Sequence, residues 1–270
     1  MFIPGSHRGY EKYSQIPRNL IADIYLDNNF PESSYISFTK HFKYLGSYIS
    51  WNLRDDYDVK ERIKAASKIF GAARHNFYGN KAIPLELRMR FYKAIVVNIL
   101  LWGCELWALR SRNYKEIRGV YRKHLRAMLR VTVFYKIRNE RLLELAQTED
   151  IIAIMHLRQL KWIEKIAYME KEKRIPRKLF AGWICGKNAV RNFGGQTKTI
   201  AHTHNRALKE VGIKGNQSKF VKKLFEIIKK PKEWAKRVET KLGLKEGTYR
   251  KKRKKNENEI RGTLPDVDIR

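Results

Sequence analysis

Three carboxylates stand almost side by side in Arg54-Asp55-Asp56-Tyr57-Asp58. Paired carboxylates can hold two divalent metals and carry phosphoryl transfer. That chemistry needs them at the tip of a strand-turn-strand with a further acidic strand nearby. Here they precede an apolar pattern of helical period, where an N-terminal turn favours negative charge, so helix-start chemistry is expected. His202-Thr203-His204 offers two metal ligands, but Cys185 is distant and no fourth ligand completes a set. A polar loop or helix start is expected there. His156 falls in an amphipathic pattern and reads as a packing or border residue. No Ser-His-Asp context, GxGxxG or Walker-type loop is present, and Gly194-Gly195-Gln196 is too short to cradle a phosphate. These residues predict no catalytic group, no metal site and no cofactor.

Charge is the stronger signal. The 270 residues carry 58 Lys+Arg against 27 Asp+Glu, a net +31. Self-repulsion on that scale disfavours a compact chain unless a polyanion neutralises it. Nucleic acid is the first candidate partner, ahead of an anionic membrane surface. The charge is uneven: residues 1–40 net zero, 41–110 and 111–172 each +6, and 173–270 +19. Arg250, Lys251, Lys252, Arg253, Lys254 and Lys255 form one unbroken basic run, which suits a nucleic-acid arm or nuclear-import signal.

With 43% hydrophobic and 12% aromatic residues the chain can bury a core. Two cysteines 81 positions apart argue against a disulfide framework and for a reducing compartment. Met1-Phe2-Ile3-Pro4 breaks before a signal-peptide core forms, and the longest apolar stretch, Ala94 to Leu101, is too short to span a bilayer. A nuclear or cytoplasmic protein with no membrane partner is expected.

The elements that must position these charges are mainly helical. Residues 1–52 read as strand and loop: Tyr35 to Thr39 and Phe42 to Ile49 are expected to pair through Lys40-His41, with Ile21 to Leu26 as a third strand. Tyr10, Tyr13, Tyr44, Tyr48 and Trp51 could stack on bases there. Residues 53–110 predict two helices. The first buries Val59, Ile63, Ala66, Ile69/Phe70, Ala73 and Phe77 and displays Lys60, Lys64, Lys68 and Arg74. The second runs from Pro84 to about Leu109, most buried between Ile95 and Leu101. Residues 111–172 predict a helix capped by Asn113 with Glu116 in capping-box spacing, showing Arg122 and Arg126 among its cations, then helices Asn139 to Ala146 and Asp150 to Glu172. Short helices follow in 173–242, near Thr199 to Val211, Ser218 to Lys229 and Glu233 to Leu242, and 243–270 reads as a flexible basic tail. The expected fold is therefore mainly α: a small N-terminal β-hairpin element, a helical bundle and a basic helical C-terminal region.

The order of segments resembles one family. Phe42-Lys43-Tyr44-Leu45-Gly46-Ser47-Tyr48-Ile49-Ser50 is similar to the F-K-Y-L-G-S-x-I-S segment of non-LTR (LINE-type) retrotransposon reverse transcriptases. Val59 to Ile63 with Phe70-Gly71, then Leu87 to Tyr92, resemble the thumb helices of that family. Leu100-Leu101-Trp102-Gly103-Cys104-Glu105-Leu106-Trp107 resembles its L-L-Y-G-S-E-x-W, and His124 to Leu129 its R-C-L-R helix. Arg158-Gln159-Leu160-Lys161-Trp162 is similar to its R-R-Q-L-R-W, Arg174 to Leu179 to its R-x-P-R-K-L, and Ala207 to Ile213 to its A-L-K-x-x-G-I. The sequence departs from the pattern twice: Trp102 replaces a Tyr, and Trp162-Ile163-Glu164 replaces the family's Trp-x-Gly-His.

The resemblance implies a C-terminal part of such an enzyme, from the end of the palm through primer grip and thumb. Lys43, Tyr44, Leu45 and Gly46 would be grip positions, and the helices from Val59 to about Leu109 a thumb-like hold on template-primer. It also implies that the chain starts after the catalytic Tyr/Phe-x-Asp-Asp, which this sequence lacks, so the chain alone is expected to be inactive. The expected partners are RNA, DNA or an RNA/DNA hybrid, bound without sequence preference. The alternatives are a helical interaction domain docking a reverse transcriptase palm in trans, and the product of a decayed element with no selected role.

Overall fold

The hairpin turns where two consecutive residues accept positive φ, at Leu45 (46°) and Gly46 (83°). A two-residue loop of this kind matches the twist of the strands it joins. In the computed structural model, which describes residues 24–25, 35–36, 39–169, 176, 200–213, 218–246 and 248–249, β1 (Ile24–Tyr25) pairs antiparallel with β2 (Tyr35–Ile36). In a separate sheet β3 (His41–Tyr44) pairs with β4 (Ser47–Ser50), placing His41 opposite Ser50 and Tyr44 opposite Ser47. The expected turn at Lys40-His41 is thus corrected. Phe42 to Ile49 is not one strand but a complete hairpin, and the segment at Tyr35 pairs backwards with Ile24.

The remainder is mainly helical, as the periodicity predicts. Helix α1 (Asp56–Ala72) buries Val59, Ala66 and Phe70, and a π-helical turn, Arg74–Tyr78, follows it. Helix α2 (Leu85–Tyr92) continues through a second π-helical turn, Lys93–Val97, into Asn98–Leu100. Pro84 is its extended N-cap, not its first helical residue. The helix stops at Leu100 instead of Leu109, because Leu101 leaves helical geometry and Gly103 takes φ +76°. Its apolar middle is buried on one side only: Val96, Val97, Leu100 and Leu101 are inside, while Ile95 is 42% exposed.

Helix α3 (Ser111–Leu129) begins two residues before the expected cap. Asn113 sits in its first turn, where Oδ1 accepts the Arg110 backbone N–H at 2.9 Å. Glu116 pairs instead with Arg112. Helices α4 (Asn139–Leu145) and α5 (Ile151–Ala167) follow, the latter capped by Asp150, which accepts the Ile152 N–H at 3.1 Å. Then come α6 (Ile200–Glu210), α7 (Ser218–Ile228) and α8 (Pro231–Leu242), with Pro231 in the first turn of α8 and Gly243 (φ 63°) as its left-handed C-terminal cap.

Two cores form. The first joins α1 to α4 with the start of α5, around Val59, Phe70, Tyr92, Leu100, Leu125 and Met155. The second joins the rest of α5 to α6, α7 and α8, around Leu160, Ile163, Leu208, Ile228 and Trp234. Helix α5 therefore belongs to both, and the change of core falls between Met155 and Leu160, not at the expected boundaries of 110 and 172. Part of the expected tail from Gly243 is packed. Tyr249 is buried, its hydroxyl accepts the Trp234 indole N–H at 2.7 Å, and its backbone N–H donates to Glu239 at 2.7 Å. Arg250 to Lys255, Tyr10, Tyr13, Arg174 to Ile175, Arg177 to Leu179 and the glycine-rich stretch at Gly194-Gly195 lie outside the described residues. Among the described residues no helix is long and apolar enough to cross a membrane.

Candidate nucleic-acid interface

The three carboxylates at the start of α1 hold the hairpin and the segment after α2 in place. Asp58 is buried; one oxygen accepts the Tyr48 backbone N–H and the other the Trp107 indole N–H, each at 2.9 Å. Asp55 accepts the Ala108 N–H at 2.6 Å, and Asp56 accepts Asn113 Nδ2 at 3.0 Å. Burial pushes the Asp55 carboxyl up to about 6 against the opposing pull of that N–H, with Asp58 and Asp56 adding to the rise. Asp55 makes no side-chain cap bond. The expected helix start holds, with Asp55 at the N-cap position and Asp56 and Asp58 in the first turn, and tertiary ties are added to it. The three carboxylates are committed to protein donors on different elements, which does not fit a metal pair. Among the described residues no cluster of metal-binding side chains forms.

Residues 101–110 are gripped from the other side by α5 and α6. Arg158 donates to the Leu101 carbonyl at 3.4 Å and Gln159 Nε2 to the Cys104 carbonyl at 3.0 Å. Thr203 accepts the Leu109 N–H at 3.1 Å, and His204 Nε2 donates to the Glu105 carbonyl at 2.7 Å. The His202-Thr203-His204 triplet thus lies at a helix start, the first turn of α6, where Thr203 and His204 are buried against residues 105–109 and His202 is exposed. His156 is buried edge-on to Tyr114 and packs, as expected. Burial holds His156 and His204 down at about 4.

The hairpin is fixed to α1 so that its tip stays outside. The Arg62 guanidinium donates to the Gly46 carbonyl and to Ser47 Oγ. His41 stacks on Tyr57 at 3.6 Å between ring centroids, and Tyr48 meets Tyr57 edge-on at 5.2 Å. Lys43 is exposed with Nζ 5.8 Å from the Tyr48 ring. Tyr44 is exposed, Leu45 is 80% exposed, and Gly46 is half-buried. A Cβ added at Gly46 would stand 3.6 Å from Trp102 Nε1.

Lys60, Lys64 and Lys68 are exposed at four-residue spacing on α1, beginning beside the hairpin and leading towards exposed Arg74. Lys64 is partly neutralised by Glu61 at 2.6 Å. The hairpin and this stripe are brought together. Arg122 and Arg126 are not equally available: both are half-buried on α3, and Arg126 donates to Asn139 at 3.1 Å. Two arginines that composition alone could not separate from the surface set are structural. One is Arg62; the other is Arg88, buried and donating to the Tyr78 and Met128 carbonyls at 2.9 Å each. A further exposed group, Lys81, Arg130, Lys136 and Arg138 with Phe134 and Tyr135, was not singled out from the sequence. Its signal is the absence of any acid from residues 117–139.

Comparison of the chain with protein-family models, with curated proteins and with solved structures finds no match. What the arrangement can do chemically rests on its geometry. An exposed cationic stripe beside a rigidly anchored aromatic turn can contact phosphates and a sugar or base at once.

Proposed function

We propose that the chain is the C-terminal portion of a non-LTR retrotransposon reverse transcriptase, a grip, thumb and basic extension that binds RNA, DNA or their hybrid without sequence preference and does not polymerise alone. The observation that carries this reading is the hairpin at Lys43 to Gly46, exposed at its tip and tied by Arg62 and Asp58 to the helix that displays Lys60, Lys64 and Lys68. The order of resembling segments supports it further: the hairpin, residues 100–107 and Arg158-Gln159 come from three separate stretches and meet in space. Helix α1, 17 residues long, spans about 25 Å, or about seven base-pair steps. The expected compartment is the nucleus or cytosol.

The test is binding of a labelled RNA/DNA hybrid by the chain and by its Lys60→Ala/Lys64→Ala/Lys68→Ala variant. Loss of three phosphate contacts should weaken binding at least about tenfold at low salt. Equal affinity would remove the stripe from the interface.

A second reading has its own support. On the hairpin face away from Tyr57, Phe42, Tyr44 and Ile49 are all exposed. This apolar face could seat a palm supplied by another chain. Polymerisation restored on mixing with an upstream palm fragment, and lost with Phe42→Ser/Ile49→Ser, would favour docking over autonomous binding.

A further inference from the structure

Away from the hairpin, the loop after α3 combines two exposed aromatic rings with a stretch of sequence, residues 117–139, that contains no acid. Phe134 is 91% exposed and Tyr135 69%, adjacent in the 3-10 turn Val133–Tyr135. The base of this loop is well held. Arg130 Nε donates to the Gly79 carbonyl at 2.9 Å, Ile137 packs against the first core, and Asn139 accepts from Arg126. Positive φ at Arg130 (53°) and Lys136 (46°) turns the backbone at each end, and the Tyr135 N–H closes the turn on the Thr132 carbonyl at 3.3 Å. The rings thus stand on a fixed base with nothing of the first core over them.

The stretches on either side of them in the fold are strongly cationic. Residues 117–139 contain seven Arg or Lys and residues 62–85 contain five, with no Asp or Glu in either stretch. The Arg130–Gly79 bond brings the two stretches together, so that exposed Arg74 and Lys81 belong to the same end of the molecule as exposed Lys123, Arg130, Lys136 and Arg138. The nearest acid in sequence is exposed Glu140, just past the run, and Glu144 is paired with Arg141.

We propose that Phe134 and Tyr135 form a stacking platform for single-stranded nucleic acid, a second contact distinct from the hairpin and the α1 stripe. Every base has a π-face, so stacking on two rings tolerates any sequence, while the surrounding cations follow the backbone phosphates. A bilayer is the poorer fit, because an interfacial anchor needs a broad aliphatic face and here only two rings project, ringed by arginine and lysine. The inference rests on the reading of the chain as a nucleic-acid binder and adds to it a preference for unpaired strands at this end.

The experiment measures fluorescence anisotropy of labelled 20-nucleotide oligo(U), oligo(dT) and a blunt RNA/DNA hybrid with the whole chain, its Phe134→Ala/Tyr135→Ala variant and its Lys60→Ala/Lys64→Ala/Lys68→Ala variant. The aromatic variant should lose at least about tenfold in affinity for both single strands, equivalent to one stacked base, and hold the hybrid as before. A Phe134→Trp variant should bind single strands normally, with its added indole emission quenched on saturation. Single-strand affinity unchanged in the aromatic variant, with the hybrid still dependent on the lysine stripe, would overturn this platform and leave the wider reading standing. Binding to neither nucleic acid would overturn both. Binding to phosphatidylserine vesicles that depends on the two rings, with single-strand affinity unaffected, would reassign the loop to a membrane surface.

Discussion

Asp58 and Arg88 are buried charged side chains spent on backbone and indole groups, not on each other. Arg88 meets two carbonyls near the ends of the Arg74–Tyr78 turn and α3, groups that helix termini leave without an intrahelical partner. Asp58 meets one N–H from β4 and one from Trp107, with Arg62 Nε 3.6 Å away. Removing an acceptor from two buried donors costs more than the bonds themselves contribute, because the donors stay desolvated. Asp58→Ala should therefore lower unfolding free energy by about 2–4 kcal/mol, read as a lower urea midpoint with unchanged m-value. A loss within about 0.5 kcal/mol, the range of an ordinary surface substitution, would mean that the hairpin is not held through this carboxylate. The sequence placed Asp58 correctly at a helix start but could not reveal its partners, since Trp107 is 49 positions away.

At the scale of elements, the helices were legible because burial on one face imposes a 3.6-residue period, and α1, α3 and α5 to α8 lie within a few residues of where that period puts them. The hairpin was legible as β but not in its register. Its turn needs positive φ at a leucine, which local preference argues against, and the cost is offset by the Arg62 bond to the Gly46 carbonyl. The end of α2 was misjudged for a similar reason. Residues 101–109 have apolar spacing that could continue a helix, but they are captured by Asp58, Gln159, Thr203 and His204 from other elements. Of the candidate site, the stripe Lys60, Lys64, Lys68 and the tip Lys43 to Leu45 were readable as exposed, whereas Arg62 and Arg88 could not be told from surface cations by charge alone. Gly46→Ala gives the register a direct test. Its new Cβ meets Trp102 at an ordinary 3.6 Å, so the penalty comes from φ +83° alone and should be about 1 kcal/mol in thermal or urea unfolding. A neutral result would show that the turn is not fixed in this form.

Three buried histidines titrate far below their ordinary range. His124 stacks on Phe70 and hydrogen-bonds Tyr92 at 3.0 Å, and burial holds it, like His156 and His204, at about 4. A histidine whose folded pKa lies below its unfolded value near 6.5 binds its proton more readily when unfolded, so stability is lost as pH falls from about 6.5 to about 4. Asp55, raised to about 6, opposes this: the folded state binds its proton more readily than the unfolded one at about 4. Three groups outweigh one, so unfolding should take up about two net protons near pH 5, and the urea midpoint should fall between pH 7 and pH 5. A midpoint that rises would show that these rings are not buried neutral.

The same scale carries the net +31, of which +19 falls in residues 173–270 and +12 in residues 41–172, where the hairpin tip, the α1 stripe and the end of α3 expose cations. If that charge exists to hold nucleic acid, binding must release counterions. The most direct measurement is the affinity of the whole chain for an RNA/DNA hybrid from 50 to 300 mM KCl. Contacts from Lys43, Lys60, Lys64, Lys68 and Arg74 predict a slope of log K against log salt between about −3 and −5; a flat response would contradict the account.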